Sequence, residues 1–493
     1  MDLLQFVRGC TFDDFLFAPQ KGLLLRRDPN VVDLSTRFSE HVTIKRPLVS
    51  ANMDTVTRAA MAVVLAEEGG IGVIDRGFRA GDIQPQVTEV ATVKRTQHGI
   101  ITDPHTISGG QRLDDAVRKM EQTRVGTLAV IDAEGRLTGL LTERDVRFVS
   151  SQELVSERMT PRDRLVVHTG PISLDDAERV MTARKIKKLP LINPDGTLLG
   201  LITAKDLLKH KRLPFATRDA QGRLRVAAAV GATGDYLERA AELVRAGADV
   251  LVIDIAHGHS RVMERAIHEL RKRHEAVELV AGNVATAEGV RFLLERGING
   301  IKVGIGPGGG CTTRLTTNFG IPQVEALVQC RTAVGNRVPL IADGGVRRDG
   351  SIAEALMFGG DSVMLGSAFA GTEETPGEIV LKSVLEPESH KVVKVPFKVF
   401  RGMASLSAVR DRLDLEEADL PELEAIGAEG LEVSVPARGS ARTIIQDMLK
   451  HLCSAISYGG AQNLQELREK FWQHPEQYLV KLTEASKAES FQR

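Results

Sequence analysis

Eight apolar segments, each as long as a buried strand, alternate with helical patterns along most of this chain of 493 residues. The helical pattern over 59–68 follows the first segment, and that over 236–245 follows the third. Alternation at this spacing predicts βα units whose strands pair in parallel, and eight units predict a closed (β/α)₈ barrel, an α/β fold. An open, doubly wound sheet is the competing fold, but no G-x-G-x-x-G motif follows the first strand. The segments are 47–52, 71–75, 226–231, 250–254, 278–283, 300–304, 338–343 and 362–366.

An internal repeat interrupts this alternation after the second strand. Leu113-Asp-Asp-Ala116 recurs as Leu174-Asp-Asp-Ala177, and Gly139-Leu-Leu-Thr-Glu-Arg-Asp145 recurs as Gly200-Leu-Ile-Thr-Ala-Lys-Asp206. Both pairs have the same offset of 61 residues (174 − 113 and 200 − 139), which indicates two copies of one small unit packed as a pair. In each copy a Thr-x-x-Asp motif is predicted to open a helix. The predicted domains are the first part of the barrel at 1–95, the inserted pair at 96–212, with copies at about 96–152 and 153–212, and the rest of the barrel at 213–493.

The insertion resembles a tandem CBS pair, also called a Bateman module. In that family the threonine and the aspartate hold the ribose and phosphates of adenine or guanine nucleotides. The resemblance implies that regulatory nucleotides such as ATP or GTP bind here. The alternative is plain capping, in which both side chains stabilise the helix and bind nothing. The positions carried over are Thr142, Asp145, Thr203 and Asp206.

Each predicted barrel strand ends in a polar residue or a glycine, and in a barrel these ends share the rim where active sites lie. Strands seven and eight end in Asp343-Gly-Gly345 and Gly366-Ser367. Barrels commonly bind a phosphate at this place through backbone amides, and Asp343 beside it would suit ribose hydroxyls. For Asp343 and Asp254, capping of a strand end is the structural alternative.

The sixth segment runs into a loop, Gly304-Ile-Gly-Pro-Gly-Gly-Gly-Cys-Thr-Thr-Arg314, that ends in a thiol. Glycines allow a backbone to fold tightly and to approach a ligand closely. Loops at strand ends carry chemistry, so Cys311 is the candidate nucleophile. A structural turn with an incidental cysteine is the alternative.

Composition excludes several classes of partner. A net charge of −1 gives no argument for nucleic acid or for an anionic membrane. The four cysteines are far apart and form no CxxC pair, which suits a reducing compartment. The first residues lack the order of a signal peptide, and no apolar run is long enough to span a bilayer. We therefore expect a cytoplasmic protein.

Taken together, the motifs of this chain resemble the family of IMP dehydrogenases and GMP reductases over almost its whole length. The resemblance implies a TIM barrel with an inserted CBS pair. It also implies a homotetramer, which nucleotides at the CBS pair can join into octamers. The motifs that carry it are Thr11-Phe-Asp-Asp14, Asn52-Met-Asp-Thr-Val56, Asp254-Ile-Ala-His-Gly-His-Ser260, Gly282-Asn-Val284, Gly304-Ile-Gly-Pro-Gly308, Cys311-Thr-Thr-Arg314, Asp343-Gly-Gly345 and Arg401-Gly-Met403.

The resemblance also implies roles for single residues around a purine nucleoside monophosphate. Cys311 would attack C2 of the base and form a covalent intermediate, with Thr313 and Glu429 as its catalytic partners. In many members carbonyl oxygens of the glycine loop hold a potassium ion, here those of Gly304, Gly306 and Cys311. The implied substrate-binding residues are Asp343, Gly345, Gly366, Ser367, Met403 and Asn52, and the implied cofactor-binding residues are Asp254, Asn283 and Arg314.

The two activities of the family use this intermediate in opposite directions. A dehydrogenase must activate water, for which dehydrogenases use an Arg-Tyr pair on a flap, and residues 411–415 here read Asp-Arg-Leu-Asp-Leu. A reductase has no need of that pair. Most reductases lack a CBS pair, so the domain layout favours a dehydrogenase. The missing Arg-Tyr pair weighs more heavily, because it concerns a chemical step and not regulation. The sequence therefore favours NADPH-dependent reduction of GMP to IMP and ammonia.

Two alternatives stay open. The first is IMP dehydrogenase, which converts IMP and NAD to XMP. The second is a catalytically silent nucleotide sensor that acts through its CBS pair.

Two departures from the family pattern, Gly309 for a phosphate-binding serine and Phe400 for a tyrosine, put single phosphate contacts in question.

Overall fold

The computed structural model describes residues 1–96, 100–101, 104–123, 125–147, 152–385, 391–413 and 427–491. The chain divides into two units. The first consists of Met1–Lys94, Phe215–Arg218 and Leu224–Arg493, and the second of Arg95–Pro214 and Asp219–Arg223.

The first unit is built on eight parallel strands that close into a barrel. Each strand pairs with the next along the chain, and β8 pairs with β1 through Val363 and Leu48, which excludes an open sheet. The prediction of a (β/α)₈ TIM barrel is confirmed. The strands are β1 Leu48–Ser50, β2 Ile71–Ile74, β3 Ala227–Val230, β4 Val250–Asp254, β5 Glu278–Val284, β6 Gly300–Val303, β7 Leu340–Asp343 and β8 Ser362–Leu365.

One main helix follows each strand and covers the outside of the barrel. The helix after β4 shows why these segments are helical, because Ser260 caps its start by accepting from the backbone N–H of Met263. Its buried residues, Met263, Ala266, Ile267 and Leu270, recur every three or four positions and so form one apolar stripe. The helices are α1 Ala59–Glu67, α2 Gln84–Arg95, α3 Tyr236–Arg245, α4 Arg261–Arg273, α5 Ala287–Leu294, α6 Gln323–Val334, α7 Gly350–Met357 and α8 Ala441–Tyr458.

The interior of the barrel is apolar at its lower end and charged at its upper end. Alternate residues of the strands, such as Val250 and Val252, point inward and form one buried cluster. Phe38 and Val42, from the hairpin of strands Thr36–Arg37 and Thr43–Ile44, close that cluster from below. Polar residues therefore collect at the carboxyl ends of the strands, where a ligand can reach them.

Further elements surround the barrel within the first unit. A three-stranded antiparallel sheet consists of Val380–Leu385, Val392–Arg401 and Glu432–Pro436, and Leu406–Leu413, the rim helix, follows its second strand. Strands Phe15–Phe17 and Leu479–Lys481 pair with each other. No helix within the described ranges is long and apolar enough to cross a membrane. The other elements are Leu3–Phe6, Phe12–Asp14, Thr313–Thr317, Leu464–Gln473, Pro475–Gln477 and Glu484–Phe491.

The second unit contains two four-stranded sheets whose elements follow the offset of the repeat. Helix Leu113–Thr123 corresponds to Leu174–Arg184, and strand Leu137–Thr142 to Leu198–Thr203, each 61 residues later. The first sheet has Thr106–Ser108, Thr127–Ile131, Leu137–Thr142 and Thr160–Pro161, and the second has Ile100–Ile101, His168–Thr169, Lys188–Ile192 and Leu198–Thr203. The remaining short elements are Val155–Arg158 and Arg162–Arg164.

The two Thr-x-x-Asp motifs of the second unit differ in structure. After Thr203 the chain enters helix Ala204–Arg212, whereas residues 143–147 after Thr142 form turns, so a helix opens here only in the second copy. Thr142 donates to Asp145 Oδ2 from its backbone N–H at 2.7 Å and from its hydroxyl at 2.8 Å. The two hydrogen-bond donors of Thr142 are thus satisfied within the motif, as they are in a helix cap. The side chain of Asp206 lies outside the described residues.

Candidate active site

A cavity of about 410 Å³ opens at the carboxyl ends of the barrel strands. Small-molecule sites commonly have volumes of roughly 300–1,000 Å³. Every catalytic, substrate, cofactor and potassium residue predicted in the barrel lines this cavity, apart from Arg314. The residues brought together are Asn52, Asp254, Asn283, Gly304, Gly306, Cys311, Thr313, Asp343, Gly345, Gly366, Ser367, Met403 and Glu429.

Cys311 begins a chain of hydrogen bonds in the cavity wall. Its thiol donates to Thr313 Oγ1 at 3.2 Å, and the Thr313 hydroxyl donates to Glu429 Oε2 at 2.5 Å. A thiol must lose its proton to become a nucleophile, and a hydroxyl bonded to a carboxylate can receive that proton. The three side chains therefore form a chain of hydrogen bonds along which a proton can pass from Cys311 to Glu429.

The loop that carries this nucleophile is anchored by segments distant in sequence. The backbone N–H of Thr312 donates to the carbonyl of Glu429 at 2.9 Å, and that of Leu431 donates to Gly310 at 3.0 Å. Gly402 in turn donates to the carbonyl of Leu431 at 2.9 Å. These bonds give the glycine-rich loop a fixed position despite its composition.

The structure places Arg314 behind the loop and not in the cavity. Its Nε donates to the carbonyl of Ile305 at 3.3 Å and its Nη2 to that of Ile321 at 2.5 Å. Burial lowers the pKa of Arg314, and the nearby Cys311 partly opposes this. The structure therefore does not bring Arg314 to the cofactor side, because its guanidinium is used to brace the loop.

A buried lysine joins the strand ends across the barrel. Lys302, in the middle of β6, is 2% exposed. Its ammonium contacts Asp254 Oδ1 at 2.7 Å, Asp343 Oδ2 at 2.9 Å and Asn52 Oδ1 at 3.3 Å. Asn283 Nδ2 also donates to Asp343 Oδ2, at 2.9 Å. Our sequence reasoning missed Lys302, although a lysine in a buried strand is rare unless it is paired and so is a signal.

Lys302 and Asp254 favour each other's charged form. Burial alone would lower the pKa of Lys302, but Asp254 and Asp343 outweigh it and raise that pKa above its usual value. Burial alone would raise the pKa of Asp254, but Lys302 and Arg76 outweigh it and lower that pKa. The result is a set of fixed charges at the floor of the cavity.

Two arginines complete the cavity wall on the side of the rim helix. Arg76 lies after β2, with its Nε 3.6 Å from Asp254 Oδ2, and Arg412 lies near the end of the rim helix. The carbonyl of Arg412 accepts from the backbone N–H of Ala80 at 2.8 Å. Burial lowers the pKa of Arg412, Arg76 lowers it further, and Asp54 opposes this. The sequence interpretation gave neither arginine a role.

Arg401 connects the barrel to the rim helix. Its Nε and Nη2 donate to Asp54 Oδ2 at 3.0 and 2.6 Å, and its Nη1 lies 2.8 Å from Asp411 Oδ2. The backbone N–H of Asp54 also lies 3.3 Å from the sulfur of Met403. This guanidinium therefore fixes the segment that carries Met403 and Arg412 over the strand ends.

The predicted phosphate site lies opposite, at the ends of β7 and β8. Gly345 has φ +85°, a conformation in which other residues are strained. A Cβ on Gly309 would lie 3.8 Å from the hydroxyl of Ser367, so the loop passes close to this serine. Phe400 also lines the cavity at this place.

The predicted potassium site consists of backbone carbonyl groups at Gly304, Gly306 and Cys311. No group of three or more His, Cys, Asp or Glu side chains that could hold a metal ion occurs in the described part of the chain. Potassium is bound instead by carbonyl oxygens. The Gly304 carbonyl accepts from Asn283 Nδ2 at 2.8 Å, and its second lone pair stays available for a cation. Gly304, Gly306 and Cys311 thus offer carbonyl oxygens, the kind of donor that potassium takes.

Comparison with known families agrees with the resemblance that the motifs carry. The chain matches the family described as IMP dehydrogenase / GMP reductase domain over residues 9–492, and it belongs to that family. The resemblance inferred from the motifs is confirmed. The protein is an oxidoreductase of this family, whose members use NAD(P).

Curated relatives and solved structures give two different names. The inosine-5'-monophosphate dehydrogenase of Aquifex aeolicus is 41% identical over 466 residues, covering 94% of this chain and 92% of its own length. That of Nitrosopumilus maritimus is 39% identical over 492 residues, covering 99% and 98%. A cysteine-to-alanine variant of GMP reductase from Trypanosoma brucei, in complex with guanosine 5'-monophosphate, has a TM-score of 0.86 at 35% identity and covers 98% of this chain and 97% of its own.

The prediction of a GMP reductase is wrong. The first curated relatives, at 39–41% identity over nearly the full length, are named IMP dehydrogenase, which was our first alternative. The prediction depended on reading residues 411–415 as lacking a group that activates water. Arg412 lies in that segment and lines the cavity, so a guanidinium is present there without a tyrosine beside it. Residues 414–415 lie outside the described ranges.

Proposed function

We propose that this protein oxidises IMP at C2 with NAD and releases XMP. The observation that carries the proposal is Arg412, a guanidinium with a lowered pKa in the same cavity as the Cys311 relay. The names of the relatives support the same activity. The cavity thus holds one group for the covalent step and another for the hydrolytic step.

The relay prepares the nucleophile. The proton of the Cys311 thiol passes to Thr313 while the Thr313 hydroxyl gives its own proton to Glu429. The thiolate then attacks C2 of the purine. A C–S bond forms, and the electron pair of the C2–N double bond moves to the ring nitrogen. Because the loop is anchored at both Gly310 and Thr312, the sulfur stays in one position during attack.

The strand ends hold the substrate and define the cofactor side. Asp343 accepts hydrogen bonds from the ribose hydroxyls, and backbone amides near Gly345, Gly366 and Ser367 hold the phosphate. NAD, when bound, supplies the acceptor for the hydride that leaves C2 with its two electrons. In this proposal the cofactor takes the side of Asp254, at the end of β4, and the nucleotide takes the side of Asp343, at the end of β7.

Water completes the reaction. After the hydride leaves, C2 is joined to Cys311 and bears a double bond to the ring nitrogen. Arg412 orients a water molecule against C2 and, in its neutral form, takes the proton of the water as the oxygen bonds to C2. Burial and Arg76 lower the pKa of this guanidinium and so favour the neutral form. The C–S bond then breaks, the thiolate is restored, and the product carries an oxygen at C2.

Nicotinamide absorbance tests the proposal directly. Purified enzyme with IMP, NAD and potassium should form NADH through many turnovers. In Arg412→Gln, a burst of NADH close to one equivalent per site should remain, while steady turnover falls by about 10²- to 10³-fold. Arg410→Gln, on the same helix but without a place in the cavity, is the matched control. Consumption of NADPH with GMP, with no activity on IMP, would overturn the proposal.

We also propose that potassium binds the carbonyl oxygens of Gly304, Gly306 and Cys311. A bound cation would keep the loop in the conformation that presents the thiol. Replacing potassium by lithium should then lower kcat, and alkylation of Cys311 should become slower. Equal rates of both reactions in the two salts would exclude a site for potassium.

We propose further that the second unit binds ATP- or GTP-type nucleotides and that this binding regulates a tetramer or octamer. Lys188 lies in the second copy, and Asp145 and Glu143 of the first copy interact with its charge. A structure of the GMP reductase from Trypanosoma brucei in complex with guanosine 5'-triphosphate has a TM-score of 0.76 at 32% identity, covering 96% of this chain and 98% of its own. Calorimetry with ATP and GTP, and sedimentation with and without each, test this. Unchanged sedimentation and no heat would refute it.

A further inference from the structure

We propose that Lys302 is a positioning residue that serves both sides of the cavity. Its one ammonium group fixes the carboxylate that receives the nucleotide ribose and the carboxylate that faces the cofactor. The inference rests on the proposed function, because the two sides are defined by that reaction. It gives a role to a buried cation that the chemical steps themselves do not use.

The geometry places Lys302 midway between the two carboxylates. Asp254 ends β4 and Asp343 ends β7, and their oxygens lie 2.7 and 2.9 Å from the same Nζ. The Asn52 side chain connects to both partners, because its Oδ1 accepts from Lys302 and it is also hydrogen-bonded to Asp254. Three strand ends therefore meet at one ammonium group.

The side chain of Lys302 can reach this point only from inside the barrel. Its neighbours on β6, Ile301 and Val303, are buried, and residues alternate between the two faces of a strand. The sulfur of Met364, from β8, lies 3.9 Å from Nζ and closes the remaining side. Because Lys302 itself is 2% exposed, a change of its charge acts on the two carboxylates with little screening by water.

The positive charges of Lys302 and Arg76 balance the negative charges of the two carboxylates, and this balance is lost without Lys302. Asp254 also has Arg76, whose Nε is 3.6 Å away, whereas the described partners of Asp343 are Lys302 and the uncharged amide of Asn283. Loss of Lys302 would leave Asp343 with an amide and Asp254 with one distant cation. Asp343 would then turn towards other hydrogen-bond donors, and the pKa of Asp254 would rise.

A second buried lysine shows what a merely structural role looks like. Lys94 is 5% exposed and its Nζ lies 2.6 Å from Asp249 Oδ2, yet neither residue lines the cavity. Asp249 immediately precedes β4, so this pair lies at the opposite end of the strand from Asp254. Lys94→Met is therefore the matched control for Lys302→Met, since each variant removes one buried lysine from a carboxylate.

The experiment measures binding and not turnover alone. IMP affinity is measured by calorimetry for the full-length wild type, Lys302→Met and Lys94→Met, and the KM for NAD is measured from acid to neutral pH. In Lys302→Met we expect IMP to bind at least about tenfold more weakly. Because loss of the cation raises the pKa of Asp254, the pH below which the KM for NAD rises should move up by about one to three units. Lys94→Met should change neither quantity.

A double variant keeps the test decisive if Lys302→Met does not fold. Lys302→Met with Asp254→Asn removes one charge of each sign, and it should still bind IMP at least about tenfold more weakly than Asp254→Asn alone. Equal IMP affinity in these two proteins, or in Lys302→Met and Lys94→Met, would overturn the inference. If the wild type binds a purine monophosphate other than IMP, the proposed function fails, and the same comparison is made with that nucleotide.

Discussion

The wall of the cavity has a strand side and a loop side, which are built by different means. On one side, Asp254, Lys302 and Asp343 lie at the ends or inside of barrel strands, and parallel pairing fixes their backbone. On the other side, Cys311 and Glu429 lie in connecting segments that a few backbone hydrogen bonds hold together. The first side is rigid because of the barrel, whereas the second depends on contacts between distant parts of the chain.

This difference explains how binding and chemistry are divided. A rigid charged floor suits a substrate that must be held in one orientation, because reorganisation would weaken binding. A nucleophile must instead approach, bond and be released, which segments outside the barrel allow more readily than strands. Damage to the loop side should therefore lower kcat, and damage to the strand side should alter binding or stability.

The largest effect is expected from Cys311→Ala. Without the thiolate no covalent intermediate forms, and kcat should fall by at least about a thousandfold while IMP still binds. Cys453→Ala is the control, because burial raises the pKa of that thiol to about 11 and keeps it unreactive. Iodoacetamide labelling with mass spectrometry should show IMP protecting Cys311. Turnover retained in Cys311→Ala would break the assignment of chemistry to the loop side.

A smaller loss is expected from Glu429→Gln. The amide keeps the shape of the side chain but cannot receive the proton from Thr313, so kcat should fall by about 10²- to 10³-fold with little change in the KM for IMP. Glu432→Gln, three residues later, is the control. If both variants lose activity equally, the relay is not what prepares Cys311.

Arg401→Met tests whether the rim helix must be fixed for chemistry. The change leaves Asp54, which is 6% exposed, without its cation, and should cost about 3–5 kcal/mol of stability. Arg410→Met, whose partner is the same Asp411 but at the surface, should cost less than about 1 kcal/mol. Thermal unfolding and kcat measure both. Equal melting temperatures in the two variants would show that Arg401 is not needed to connect the rim helix to the barrel.

The smallest effect concerns stability on the strand side. Asp75 is fully buried after β2, and burial raises its pKa to about 7, with Arg58 opposing this and Asp54 adding to it. Because the folded value exceeds the unfolded one, the folded state keeps a proton that the unfolded state releases above about pH 4. The stability contribution of Asp75 should therefore fall from about pH 4 to pH 7 and then level off.

Asp75→Asn removes that pH dependence. The melting temperature of the variant relative to the wild type should rise by a few degrees between about pH 5 and pH 8. Asp33→Asn is the control, because hydrogen bonds from Ser35 lower the pKa of Asp33. This carboxyl is therefore ionised in the folded and unfolded states above about pH 4, and the difference in melting temperature should stay constant between about pH 5 and pH 8. A difference that stays constant with pH in Asp75→Asn would show that this carboxyl is ionised throughout.

Much of the site follows from the sequence because a barrel brings strand ends together. Once eight strands are recognised, Asn52, Asp254 and Asp343 must share one rim, and all three line the cavity. The glycine loop likewise marks Cys311. Lys302 was missed because the apolar pattern of its strand hides which single side chain points to the centre. Arg314 was placed at the cofactor side because a sequence does not show in which direction a long side chain folds back.

The sequence by itself determined the barrel, the repeat and the family, and it marked Cys311 as the candidate nucleophile, since these depend on local patterns and on motifs of neighbouring residues. Only the tertiary structure decided that Lys302 joins two carboxylates, that Arg314 folds back behind the loop and that Arg412 lies in the cavity. These facts depend on side-chain directions and on the docking of distant segments. Periodicity and spacing contain no information about either, and for that reason the choice between the two activities of the family could not be read from the flap residues alone.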